Sequence, residues 1–316
     1  MPSRHEKKYR LGPRQGVDAT TDVVAADMGS TVAVVLTHPW GCLGGNMHNN
    51  VVVAAALFFQ QELGMSTARF DFCGTQVGRG YRQVDQVRQV AGALLRGECC
   101  SGGGATATSD EQGGGGGGGR RTRPPRYILL FGYSYGSLIA SSASADLPQC
   151  VGVVSVAPPY AVQHWLLMFC HGYHMRQSAL RADLPRLLVI GSRDNFTSES
   201  LFKSTIAEYY PPPAAAASKR PPSSAFDVDS RDKNEGSNNI NKSGSNENDR
   251  GEIKTTATTG AVIKDADHFF GGRERDLMDV VAEWLLSAFS EQCRGDLRRL
   301  REAEFAVAPS TPAPGP

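Results

Sequence analysis

Six short strand-like runs, most of them apolar from end to end, divide this 316-residue chain. They are VAVVLT at 32–37, TARFDF at 67–72, YILLF at 127–131, VGVVSVA at 151–157, RLLVI at 186–190 and GAVIK at 260–264. A strand that is apolar on both faces has to be covered on both faces. The segments between them supply the cover. Residues 50–63, 84–96, 137–145, 198–209 and 273–289 carry apolar side chains at helical spacing. Gly64 stands where the first helix should stop. Leu277, Val280, Val281, Trp284, Leu285 and Phe289 share one side of the last. Alternation of this kind predicts an α/β fold, a three-layer αβα sandwich around a mostly parallel central sheet.

Two stretches cannot contribute to that core. Residues 99–125 contain seven consecutive glycines, which bury nothing and lose much backbone entropy on ordering. Residues 211–252 pass from a Pro/Ala block into SRDKNEGSNNINKSGSNENDR, which is polar and poor in aromatics. Both are expected to be disordered insertions in a domain spanning 29–293. A Pro-rich C-terminal tail follows at 294–316. Residues 1–28 read as an N-terminal extension, poorly ordered or an edge strand. Without the insertions roughly 230 residues remain, the size of one compact domain.

A formal net charge of +1 gives no electrostatic case for nucleic acid or an anionic membrane surface. The longest apolar run, 51–59, is too short for a membrane span. The polar N-terminus lacks the apolar stretch of a secretion signal, so a cytoplasmic location is expected. The seven cysteines, Cys42, Cys73, Cys99, Cys100, Cys150, Cys170 and Cys293, are odd in number and form no C-x-x-C pair, which favours free thiols. Cys170, His171 and His174 lie close in sequence, but a metal needs further ligands, and packing is the expected role.

In parallel sheets the chemistry collects outside the carboxyl ends of the strands. After the third run comes Gly132-Tyr133-Ser134-Tyr135-Gly136, where two glycines let a strand turn sharply into a helix and expose one hydroxyl. Asp194 follows the fifth run and His268 the sixth. Ser134, Asp194 and His268 therefore stand in the order Ser, Asp, His, suited to a nucleophile, an orienting carboxylate and a general base. Asp265 and Asp267 are rival acids, too near His268 in sequence to accept easily from its ring, and a loop-structuring role is expected of them. An oxyanion needs two donors. The backbone N–H of Tyr135 is one candidate. Trp40, with Gly41 as the alternative, is the other, since Pro39 has no N–H. His38 is expected to brace this loop, with Gly132 and Gly136 supporting the turn, and His48 to lie at the pocket mouth or the surface.

These residues resemble the α/β-hydrolase superfamily, and more narrowly the small predicted serine hydrolases related to dienelactone hydrolases and serine aminopeptidase-like enzymes. The resemblance runs through His38-Pro39, Gly44-Gly45, Met47 and Asn49, then Arg69-Phe70-Asp71-Phe72-Cys73-Gly74, the serine pentapeptide, and Ala266-Asp267-His268-Phe269-Phe270. It covers residues 31–289 apart from the insertions. It implies the α/β-hydrolase fold and a Ser-His-Asp hydrolase without metal or organic cofactor. The expected substrate is a small-molecule acyl compound: an ester, a thioester or a small amide. A catalytically idle binding or scaffold protein and an acyltransferase are the alternatives, and the oligomeric state stays open. Three departures stand out. Trp40-Gly41 replaces a second His-Pro. Few residues precede the first clear strand, so the usual first hairpin is expected to be reduced. The polar insertion falls between Asp194 and His268, tolerable if it loops outward. Residues 159–184 offer a short lid, with Trp165, Leu166, Leu167, Met168 and Phe169 expected to form the buried face of a lid helix or, alternatively, to line an acyl or aromatic site.

Overall fold

The computed structural model describes residues 5–14, 16–74, 78–99, 123–211 and 258–289. The expected insertions lie almost wholly outside the described residues, and the expected tail at 294–316 lies entirely outside them.

Eight strands form one sheet: β1 (Glu6–Leu11), β2 (Thr21–Ala26), β3 (Val32–Thr37), β4 (Ser66–Phe70), β5 (Tyr127–Tyr133), β6 (Cys150–Val156), β7 (Arg186–Gly191) and β8 (Thr259–Ile263). Their order is β1-β2-β4-β3-β5-β6-β7-β8. The pairs β1–β2 and β2–β4 are antiparallel, and every later pair is parallel. Helices α1 (Asn50–Leu57), α2 (Tyr81–Leu95), α3 (Tyr135–Ala143), α4 (Gln163–Leu166), α5 (His171–Ala179), α6 (Glu199–Tyr209) and α7 (Glu274–Ala288) connect and cover the strands.

The two-sided apolar strands do what their composition requires. Successive side chains of a strand point to opposite faces. Ala33 and Val35 of β3 join Ile128 and Leu130 of β5 in one core, beneath α2 and α3. Val34 and Leu36 join Leu129, Phe131 and Tyr133 in the other, beneath α1 and α7. One turn of wider, π-type helix at Phe58–Glu62 carries on from α1 and seats Phe58 and Phe59 in the second core. Ser198 caps α6, its hydroxyl accepting from the Leu201 N–H at 3.3 Å.

The N-terminal hairpin departs from expectation. It is present in full as β1 and β2, paired over six residues from Glu6↔Ala26 to Leu11↔Thr21. The sequence signal is weak because β1 is an edge strand. Its Lys7, Lys8 and Arg10 follow the common rule that edges carry charge, which hides the apolar pattern.

The hairpin is also fastened chemically. Arg69 of β4 donates to Glu6 of β1 at 2.8 Å, with both side chains almost fully buried. The same guanidinium donates to the Met47 carbonyl at 3.0 Å. Gln60 donates to the other Glu6 oxygen at 3.2 Å. Removing one partner of a buried pair strands the other charge. Glu6→Ala is expected to lower stability by about 3 kcal/mol, read as a reduced urea midpoint at an unchanged denaturant slope; a midpoint equal to the parent's would contradict the pair's structural role.

Candidate active site

β5 ends at Tyr133 and α3 begins at Tyr135, so Ser134 must turn the chain alone. Its backbone is left-handed, φ 54° and ψ −123°, a conformation L-residues rarely adopt. Its N–H donates to the Val156 carbonyl of β6 at 2.8 Å. The flanking glycines act through space. A Cβ on Gly132 would lie 2.5 Å from Cα of Ser137, and one on Gly136 would lie 2.5 Å from the His38 carbonyl oxygen. The first allows α3 to start against the strand. The second allows the loop after β3 to press on the turn, where the Thr37 hydroxyl also donates to the Gly136 carbonyl at 2.9 Å.

Ser134, His268 and Asp194 are brought together. The Ser134 Oγ lies 2.9 Å from His268 Nε2, and His268 Nδ1 lies 2.9 Å from Asp194 Oδ2. All three are buried or nearly so. The carboxylate can only accept, so the imidazole proton sits on Nδ1 and leaves Nε2 to accept from the serine hydroxyl. Asp194 Oδ1 also accepts from the N–H groups of Phe196 at 2.7 Å and Thr197 at 3.1 Å. The Thr197 hydroxyl accepts from the Tyr160 N–H at 2.8 Å, which ties this loop to the start of the lid. Neither Phe196 nor Thr197 is marked by any motif in the sequence. The ring of Phe196 covers His268 at 4.4 Å between centroids.

The loops bearing Asp194 and His268 are fastened to each other. Ser192 N–H donates to the Ile263 carbonyl and Arg193 N–H to the Ala266 carbonyl, both at 2.9 Å. Gly191 allows the Ala266 backbone to approach closer than any side chain would permit. The rival acids are occupied elsewhere. Asp265 pairs with Arg193 at 2.6 Å on the surface. Asp267 accepts from the N–H groups of Phe269 and Phe270, at 2.9 Å and 3.0 Å.

The loop after β3 is braced by His38. Its Nε2 accepts from the Phe72 N–H at 2.9 Å and its Nδ1 donates to the Pro39 carbonyl at 2.5 Å. Burial holds this imidazole below the usual histidine range, against smaller opposing effects of the Pro39 carbonyl and Asp71. Trp40 leads into a single 3-10 turn at Gly41–Leu43, and its carbonyl accepts from Leu43 and Gly45. Further along, Met47 N–H donates to Asp71 at 2.7 Å and Asn46 N–H to the Asn49 side chain at 2.6 Å. The Met47, Asn49, Arg69 and Asp71 positions that carry the resemblance thus hold the shape of this loop. Tyr135 is the first residue of α3, where backbone N–H groups lack an intrahelical acceptor. His48 lies at the surface, 3.3 Å from Arg69 Nη1.

The lid differs from expectation. α4 lasts four residues, and Met168 and Phe169 then adopt left-handed φ values of 44° and 64°. No single helix carries the five residues on one face. Leu167 is buried, whereas Trp165 and Phe169 are 67% and 66% exposed. His174 of α5 bonds Ser142 Oγ at 2.9 Å and the Arg79 carbonyl at 2.6 Å. Among the described residues no cluster of three or more His, Cys, Asp or Glu side chains is arranged to hold a metal, and Cys73, Cys150 and Cys170 are free thiols. No described helix is long and apolar enough to cross a membrane.

Solved structures share this architecture. An α/β serine hydrolase homologue from Coxiella burnetii superposes with a TM-score of 0.53 at 18% identity, over 89% of this chain and 97% of its own. A lidless α/β serine hydrolase from Xanthomonas campestris gives 0.51 at 18% identity, over 99% of each chain. An esterase from Pyrococcus furiosus gives 0.55 at 12% identity, over 90% and 93%. The chain has the α/β-hydrolase fold. No protein-family model and no curated protein match its sequence.

Within this α/β-hydrolase fold, His38 makes stability depend on pH. A histidine whose folded pKa is depressed binds fewer protons folded than unfolded, so stability is complete above the unfolded value of about 6.5 and is lost as pH falls below it. His174, also held low by burial, acts in the same direction. The urea midpoint is expected to fall between pH 7.5 and 5.5, and to fall less in His38→Gln. An equal fall in both proteins would contradict a neutral, buried His38.

Proposed function

We propose that this protein is a serine hydrolase that cleaves an ester, a thioester or a small amide through an acyl-enzyme. The observation that carries the reading is the unbroken line of hydrogen bonds from Ser134 Oγ through the His268 ring to Asp194, with both links at 2.9 Å. The serine hydrolases and the esterase that share the fold support it.

In the proposed cycle Ser134 Oγ attacks the substrate carbonyl while His268 Nε2 takes its proton. Asp194 holds the tautomer and stabilises the imidazolium that forms. The carbonyl oxygen becomes an oxyanion, held by the Tyr135 N–H and by a second N–H from Trp40, or alternatively Gly41. His268 then returns the proton to the leaving group as the bond to the carbonyl carbon breaks. Water, deprotonated by the same imidazole, attacks the acyl-serine, and the imidazolium returns that proton to Ser134 Oγ as the acid is released. The left-handed turn at Ser134 points the positive end of α3 towards the developing charge. The three side chains form an unbroken hydrogen-bonded triad, which disfavours the idle-scaffold alternative.

A fluorophosphonate probe is expected to label the parent chain stoichiometrically and to leave Ser134→Ala unlabelled. On a 4-nitrophenyl ester, Asp194→Asn should reduce kcat by about 10⁴-fold, because the amide favours the wrong imidazole tautomer. A folded parent that resists the probe, or an Asp194→Asn variant of parental activity, would refute the proposal.

A further inference from the structure

Ser134 directly follows β5 and His268 lies in the loop after β8, with β6 and β7 between those two strands in the sheet. Three strand spacings amount to roughly 14 Å at the sheet itself. Something must therefore hold the histidine loop over the end of β5. The Asp194 and His268 loops have the many ties described above. Between β5 and the His268 loop, the described residues hold a single hydrogen bond besides the Ser134–His268 contact. The hydroxyl of Tyr133 donates to the backbone carbonyl of His268 at 3.1 Å.

Tyr133 is suited to that task. It is the last residue of β5 and immediately precedes Ser134, so whatever it grips is referenced to the nucleophile's own backbone. Its ring is buried in the second core with Ala266 and Phe270, which flank His268 in sequence. Burial, and then the charge of nearby Asp194, keep the phenol well above its usual range, so it stays a donor. Packing alone would place the ring, and a phenylalanine would fill the same space. Asn50 holds the neighbouring Phe269 carbonyl at 2.9 Å from the other side of the loop, and the Tyr133 hydroxyl adds the polar restraint that ties the His268 backbone to the nucleophile strand.

We infer that Tyr133 is a positioning residue, whose hydroxyl sets the distance between the His268 ring and Ser134 by anchoring the His268 carbonyl to the nucleophile strand. This rests on the hydrolase reading above. Displacing a reacting group by about 1 Å can cost 10²-fold in rate, so loss of one anchor with the packing intact should cost about tenfold.

The test is the rate at which a fluorophosphonate inactivates the full chain, compared among the parent, Tyr133→Phe and a Tyr133→4-aminophenylalanine variant that restores an N–H donor. In the Phe variant the limiting inactivation rate is expected to fall about tenfold, with the half-saturating probe concentration within about twofold of the parent's. The amino variant should recover most of the lost rate. A limiting rate in Tyr133→Phe equal to the parent's overturns the inference while leaving the hydrolase reading intact. So does an amino variant that folds but stays as slow as the Phe variant, since loss of rate would then come from general loosening. A parent that the probe does not label overturns the hydrolase reading first, and the positioning role falls with it.

Discussion

A strained residue at the centre of the sheet governs the rest. Ser134 holds a left-handed backbone that costs about 1–3 kcal/mol and persists only where its surroundings leave no alternative. The surroundings are specific. Gly132 lets α3 begin against the strand it has just left, and Gly136 lets the loop after β3 close over the turn. With β3 on one side and β6 on the other, β5 is fixed on both edges and cannot relax the turn by sliding. Two cores of apolar side chains grip its two faces. The strain is thus borne at the end of a strand held on both edges and both faces.

From that point the parallel sheet does the assembly. Each parallel strand ends at the same rim, so residues far apart in sequence arrive together. Asp194 and His268 are separated by 74 positions, including the polar stretch at 211–252. Their loops still meet because β7 and β8 pair in parallel from Leu187↔Thr259 to Gly191↔Ile263. Closure entropy grows slowly with loop length, so a long excursion between paired strands is a small burden. The carboxylate, the imidazole and the hydroxyl then need only short loops to reach one another.

What the sequence revealed and what it concealed divide along physical lines. Central strands are apolar throughout, and runs such as VAVVLT mark β3 without ambiguity. The serine turn was legible because its glycines have a steric purpose that few other residues can meet. β1 was legible only as one of two readings of residues 1–28, because an edge strand rich in charge has no full apolar run. The lid misled in the opposite direction. Trp165 to Phe169 is dense in large apolar side chains, and density suggested a buried face, yet the helix ends at Leu166, Met168 and Phe169 are left-handed, and the rings of Trp165 and Phe169 are exposed. Phe196 and Thr197 could not be found by pattern at all, since their contact with the site comes from backbone N–H groups and from ring placement.

In the proposed cycle Ser134 carries a covalent acyl group during turnover. Mass spectrometry of the protein, acid-quenched while it turns over 4-nitrophenyl acetate and then digested, addresses it most directly. One acetyl group is expected on the peptide containing Ser134, present during turnover and gone once substrate is spent. An acetyl group found instead on Cys42 or another side chain, or steady turnover with Ser134 never acylated, would contradict it.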